Sequence, residues 1–161
     1  MKTIFSCYVF FLAFQPAAPT QVYHSLQKLV QQYFTLCNQH DSVAAATMFA
    51  TNAELYSPNW SGTEKGQAGA KSVLHRYFVS TPNLQYHITH TVYSKNEAVV
   101  EYTATGTLQH GEAGTPAYMI GKQYILKEIT RFTFVDNHIT SAVSYFDQVS
   151  FLKQVGFFDQ H

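Results

Sequence analysis

The sequence predicts an α+β domain in which N-terminal helices cover one face of a curved antiparallel sheet. Three observations carry this. Between Val22 and His40 the apolar residues recur at three- and four-residue spacing, which is helical. From Leu84 onward the spacing changes to alternation, the signature of half-buried strands. The last two alternating runs meet at Asp136-Asn137, residue types that tolerate the positive φ of a two-residue hairpin turn. Helices first and strands last argue for segregated layers rather than βαβ units.

Taken in order, the chain begins with Met1-Lys2-Thr3, an apolar run from Ile4 to Phe14, and Pro16-Ala17-Ala18-Pro19. Charge, apolar core and small-residue tail are those of a secretory signal, and the 11-residue run is shorter than the roughly 20 residues that span a bilayer. The expectation is a secretory segment over 1–21 and a single domain over 22–161, secreted or periplasmic, with no membrane span after removal of the signal. Cys37 is then the only cysteine and no intrachain disulfide forms.

Leu26, Leu29, Val30, Tyr33, Phe34 and Cys37 form the stripe of the first helix. Asp41 and Ser42 can cap a second, shorter one that runs through Phe49. Ala53 to Ser57 reads as a short strand, followed by a polar loop from Asn59 to Gly69. Within it Asn59-Trp60-Ser61 fits the N-glycosylation pattern, and Trp60, the only tryptophan, is placed to lid a cavity or to cover the core end. A third helix carries Val73, Leu74, Tyr77 and Phe78 and ends before Pro82. In the next hairpin a three-residue turn over Lys95-Asn96-Glu97 pairs Val92 with Val100, His90 with Tyr102 and Ile88 with Ala104, matching apolar to apolar. It is preferred to a two-residue turn, which sets His90 against Glu101. Gly111 to Gly121 is a loop long enough to act as a flap.

The Asp136-Asn137 turn pairs Phe134 with Ile139, Phe132 with Ser141, Thr130 with Val143, Glu128 with Tyr145 and Leu126 with Asp147. One face then carries two carboxylates, Glu128 and Asp147, among Leu126, Phe132, Phe134, Ile139, Val143 and Tyr145. Buried carboxylates demand partners or a water-accessible cavity, so this face is the candidate site.

Composition limits what that site can be. At 161 residues, 46% apolar and 16% aromatic, the chain suits one domain with a substantial core. Ten Lys or Arg balance ten Asp or Glu, which removes the basic field of a nucleic-acid binder and points to a small, apolar partner. His87 and His90 are three apart on a strand and face opposite sides, so no metal site is expected. No nucleophile elbow or phosphate-binding glycine loop is present, and no cofactor is expected.

The order of elements, with Tyr102-Thr103-Ala104-Thr105-Gly106-Thr107, Gly111-Glu112, Gly114-Thr115-Pro116, Gly121-Lys122, Phe132-Thr133-Phe134-Val135-Asp136-Asn137 and Tyr145-Phe146-Asp147 before Phe151-Leu152-Lys153-Gln154-Val155-Gly156, resembles the SnoaL-like polyketide-cyclase relatives of the nuclear-transport-factor-like cone fold. The resemblance covers Tyr23 to Gly156. It implies a cone with an internal pocket, dimerisation through the sheet, and either cyclase or isomerase chemistry or binding alone. In the cyclases the Asp before the terminal helix is the acid/base, which falls here on Asp147. Relatives carry His two residues after the Gly of the Gly-Thr step; this chain has Leu108 there and His110 two residues further. Gly commonly follows the turn Asp, where this chain has Asn137.

Two readings of Asp147 stand side by side. As a base it abstracts a proton beside a carbonyl while His90, Tyr102 or Tyr145 holds the oxyanion. As a cap it holds the amides that open the terminal helix. The expected pocket wall is Tyr56, Trp60, His90, Tyr102, Glu128, Phe132, Val143 and Asp147. A homodimer is expected through the opposite sheet face, where Val99, Thr103, Ile125 and Ile129 are interrupted by Glu101, Lys127 and Arg131.

Overall fold

The structure, a computed structural model, describes residues 19–58, 63–112 and 114–159. Residues 1–18, which hold most of the expected secretory segment, lie outside it, as do Trp60 and the Asn59-Trp60-Ser61 sequence. The α+β expectation holds: helices α1 (Pro19–Asn38), α2 (Ser42–Thr47) and α3 (Gly66–Ser80) precede most of a curved six-stranded sheet. Its strands are β1 (Phe49–Tyr56), β2 (Glu64–Lys65), β3 (Gln85–Ser94), β4 (Glu97–Thr107), β5 (Gln123–Val135) and β6 (His138–Phe146), and helix α4 (Gln148–Gln154) closes the described chain. The sheet order is β2-β1-β6-β5-β4-β3. It is antiparallel except where β1 runs parallel to β6, a pairing reached through the whole length of the domain.

Helix α1 buries Leu26, Val30, Phe34 and Cys37 against the sheet, the expected stripe. It stops because His40 adopts the left-handed conformation (φ 56°) and the last carbonyls are taken by Asp41 N–H to Leu36 and His40 N–H to Cys37. The His40 ring stacks on Phe78 and bonds the Leu84 carbonyl at 2.7 Å, which holds a non-glycine residue in that conformation. Asp41 caps α2 by accepting from Ala44 N–H at 2.8 Å. That helix ends at Thr47 rather than Phe49, because Phe49 opens β1 as a fully buried strand residue. At the start of α3, Gly66 has φ 63° and a Cβ there would lie 2.6 Å from the Thr51 carbonyl oxygen, so only glycine fits.

Two β-bulges shape the antiparallel part of the sheet, and the parallel β1–β6 pair also shifts register between Phe49 and Glu54. The β5–β6 turn is as expected, with Asp136 and Asn137 at φ 48° and 62° and Phe134 opposite Ile139. The next pair is Thr133 with Ser141, so Thr140 is an extra residue. In the β3–β4 hairpin the turn has two residues, Lys95 and Asn96, which corrects the three-residue expectation and places His90 opposite Glu101. Thr89 is then the extra residue, and beyond it Ile88 meets Tyr102 and Tyr86 meets Ala104, so the apolar match is restored by the bulge instead of by the turn. At both sites the extra residue is a threonine whose hydroxyl donates to a carbonyl of the neighbouring strand: Thr89 to Glu101 at 3.1 Å, Thr140 to Thr133 at 3.2 Å. Each bulge reverses the parity of its strand, and this decides which side chains reach the interior.

Candidate functional site

The core divides along the cone. Toward the hairpin turns, Leu26, Val30 and Phe34 of α1 fill the space against Val100, Phe132, Phe134 and Ile139. Toward the other end, Cys37, Leu74 and Phe78 meet Leu108, Tyr124 and Leu126. Between them lies a cavity of about 150 Å³, walled by rings from α1 (Tyr33, Phe34), α3 (Tyr77), the sheet (Tyr86, Tyr102, Tyr124, Phe146) and α4 (Phe151). A more open space of about 410 Å³ adjoins it under the loop after β4 and shares Val73, Tyr77, Ser80, Leu108 and Phe151 with it, so those five side chains partition chamber from vestibule. Arg76 and Glu112 face the vestibule and pair at 2.7 Å.

Among the described residues Glu128 is the only charged side chain on the chamber wall. Its partners across the sheet are Tyr102 and Phe146. Tyr102 donates its hydroxyl hydrogen to Glu128 Oε2 at 2.9 Å, Thr130 Oγ1 lies 2.9 Å from Tyr102 Oη, and Ser144 Oγ lies 2.7 Å from Thr130 Oγ1. Each hydroxyl has one hydrogen. With Tyr102's spent on Glu128, Thr130 donates to Tyr102 and Ser144 to Thr130, so the chain points at the carboxylate. Burial raises the Glu128 carboxyl from its ordinary 4.5 to about 7, opposed by the Tyr102 hydrogen bond. Burial, then the charge of Glu128, holds the Tyr102 phenol well above its ordinary range. The arrangement is a carboxyl that changes protonation near neutrality inside an aromatic chamber, which suits proton transfer to and from a bound molecule.

Of the residues expected at the site, Tyr102, Glu128 and Tyr56 line the chamber, Tyr56 from its exposed rim. The others do not. Asp147 is exposed and its Oδ1 accepts from Ser150 N–H at 3.0 Å at the start of α4, so its carboxylate acts as the helix cap and does not reach the chamber. Val143 and Tyr145 point to the opposite sheet face, with Tyr145 58% exposed, because the Thr140 bulge reverses the parity of β6 and turns Ala142, Ser144 and Phe146 inward. His90 is exposed on that same outer face through the Thr89 bulge. His87 is there too, opposite Thr103, which corrects the expectation that the two histidines face apart. Among the described residues no cluster of three or more His, Cys, Asp or Glu forms. Phe132 is 2% exposed and packs on Tyr33 and Phe34 in the filled end of the cone. His110 lines the vestibule, while Leu108 stands between the two spaces.

Sequence reasoning missed Tyr86, Ser144 and Phe151. Tyr86 has the correct parity with Ile88, and a tyrosine on an inward strand face was the available signal. Ser144 was hidden by the bulge. Cys37 also lines the chamber, with burial pushing its thiol up to about 12 against a hydrogen bond from Tyr33.

A SnoaL-like domain matches residues 30–142 of the chain. No curated protein matches it. Among solved structures it is similar to a protein from a Jannaschia species described as a SnoaL-like polyketide cyclase, at 15% identity and a TM-score of 0.74 over 88% of this chain and 96% of that one. It is also similar to SalBIII, described as an epoxide hydrolase/cyclase-like enzyme in pyran ring formation in salinomycin, at 17% identity and a TM-score of 0.67 over 81% and 96%. A third is a protein of ketosteroid isomerase-like fold from Catenulispora acidiphila in complex with trimethylamine, at 19% identity and a TM-score of 0.67 over 80% and 92%. The helix-covered cone, its internal chamber and the match over most of its length agree: the chain belongs to the SnoaL-like family.

Proposed function

We propose that this protein binds a small apolar carbonyl compound in the chamber and that Glu128 transfers a proton on it, in an isomerase- or cyclase-type reaction. One observation carries the reading: among the described residues the only charged side chain on the chamber wall is a carboxyl poised at about 7. A base works best when its pKa lies near the working pH, so that it is both available and strong enough to take a proton. The same carboxyl, once protonated, returns the proton to a neighbouring atom. Asp147 has no part in this chemistry; its role is to start α4, which brings Phe151 to the chamber wall.

The test is exchange of the protons next to the carbonyl of a small cyclic ketone, cyclohexanone, for deuterium in heavy water, followed by NMR. The wild-type protein accelerates exchange, with a rate that rises with pH and levels off above about 7 as Glu128 loses its proton. Glu128→Gln abolishes the acceleration. Binding of the ketone without exchange in the wild type leaves a ligand-binding protein with no reaction, the reading that the named relatives also permit.

Two further elements belong to the proposal. The protein works as a homodimer through the outer sheet face, where Ile125 and Ile129 are 62% and 42% exposed beside Tyr145; a monomeric mass in light scattering at tens of micromolar concentration refutes it. It is exported, on the charge and apolar pattern of residues 1–21; intact mass of material secreted by its host, still carrying Met1 to Phe14, refutes that.

A further inference from the structure

The Tyr86 hydroxyl stands apart from the hydrogen-bonded chain that ends on Glu128. Tyr86 lines the cavity, and among the described residues no hydrogen bond engages its hydroxyl. The neighbouring hydroxyls are committed: Tyr102 to Glu128, Thr130 and Ser144 to the chain behind it, and Tyr124 to Thr81 at 3.0 Å. Tyr86 is half-buried, and a donor on the wall of a mostly apolar chamber with no protein acceptor leaves its hydrogen bond to be made by whatever occupies the chamber.

The residue is also held with care. The side-chain amide of Asn38, at the end of α1, bonds both backbone groups of Tyr86, donating to its carbonyl at 2.9 Å and accepting from its N–H at 2.7 Å. This clamps the start of β3 onto the helix. The ring stands edge-on to Tyr102 and Phe34, with centroids 5.6 and 6.0 Å apart, which places it beside the residue that carries the Glu128 hydrogen bond. Burial, the Cys37 thiol and then the charge of Glu128 hold the Tyr86 phenol well above its ordinary range, so it stays a donor while Glu128 is ionised.

We infer that Tyr86 is a catalytic residue, the donor to the ligand's carbonyl oxygen, and that the reacting end of the ligand is a single six-membered ring or a chain of equal bulk. The size follows from the chamber: about 150 Å³ is the volume that holds one benzene-sized molecule, well below the space a fused four-ring compound requires. The inference rests on the Glu128 reading above and adds its missing half. The ketone oxygen accepts from Tyr86. Ionised Glu128 takes a proton from the adjacent carbon, and the C–H electron pair becomes the enolate double bond as the carbonyl π pair moves onto oxygen. Tyr86 stabilises that oxyanion. Protonated Glu128 then delivers the proton to the same carbon or to another, and the carbonyl re-forms.

Tyr86→Phe keeps the ring and its packing and removes only the donor. Ligand-observed NMR on the intact protein measures affinity for cyclohexanone and for methylenecyclohexane, a near-isostere without the oxygen, and deuterium exchange of cyclohexanone supplies the rate. In Tyr86→Phe, exchange at saturating ketone falls about 100-fold and cyclohexanone binds several-fold more weakly, while methylenecyclohexane binds as it does to the wild type. Equal exchange in the wild type and Tyr86→Phe, abolished by Glu128→Gln, makes Tyr86 a wall residue and overturns the inference while the Glu128 reading stands. Binding of neither ring to the wild type overturns both.

Discussion

Glu128→Gln tests the electrostatics of the chamber without any ligand. The carboxyl is raised from 4.5 to about 7 because burial penalises its charged form. Folding therefore favours the protonated carboxyl. The stability this group contributes is fully present below about pH 4.5, is lost as pH rises through about 7, and is absent above that. At about 1.36 kcal/mol for each pH unit the loss comes to roughly 3 kcal/mol. That is an upper value, because part of the side chain faces the chamber, where water screens it. A loss of this size is a large share of a domain's net stability, typically about 5–15 kcal/mol.

Glutamine is close to isosteric, and its amide oxygen can take the Tyr102 hydrogen bond at the same place. It cannot ionise. Urea unfolding of both proteins between about pH 4.5 and 9 separates the effect from all other titrating groups, which the two share. The variant is close to the wild type at the acid end and more stable by up to roughly 3 kcal/mol at the alkaline end, with the difference opening between the ordinary and raised values of the carboxyl. Parallel stability curves refute the reasoning: they mean that Glu128 titrates as a solvated carboxylate, and the argument for a base poised near neutrality goes with it.

Asp147→Ala removes the α4 cap and lowers stability by about 1 kcal/mol, whereas Asp147→Asn costs a few tenths; both retain ketone exchange, and an Asp147→Asn protein that is folded but inactive reassigns the base. Cys37, buried and raised to about 12, resists alkylation in the folded protein and reacts only on unfolding, read by peptide mapping after labelling; modification under native conditions shows that solvent reaches the chamber wall by this route. Gly66→Ala destabilises by about 2 kcal/mol, since it combines an unfavourable φ with a Cβ driven into the Thr51 carbonyl; an unchanged urea midpoint shows that the start of α3 can shift to accommodate it.

What the sequence disclosed about the site turns on where the strands carry an extra residue. Glu128 and Tyr102 were legible because β4 and β5 pair over eleven consecutive positions without interruption, so parity counted along either strand stays true. The Asp136-Asn137 turn was legible because it needs residue types that accept positive φ, and those are visible in a sequence. The two bulges were not. Each is built on a threonine, an ordinary strand residue, and the feature that marks it, a hydroxyl on a carbonyl of the next strand, exists only after the strands have paired. Past each bulge every alternation argument reverses, which is why Val143, Tyr145 and His90 were read as inward and why Ser144 and Phe146 were passed over. Asp147 fell to a different competition. A carboxylate next to a helix start finds three unpaired amides within reach, and that local bond forms without any help from the fold. The carboxylate that reaches the chamber is therefore Glu128, which has no helix end beside it and lies on a strand whose register with β4 is unbroken.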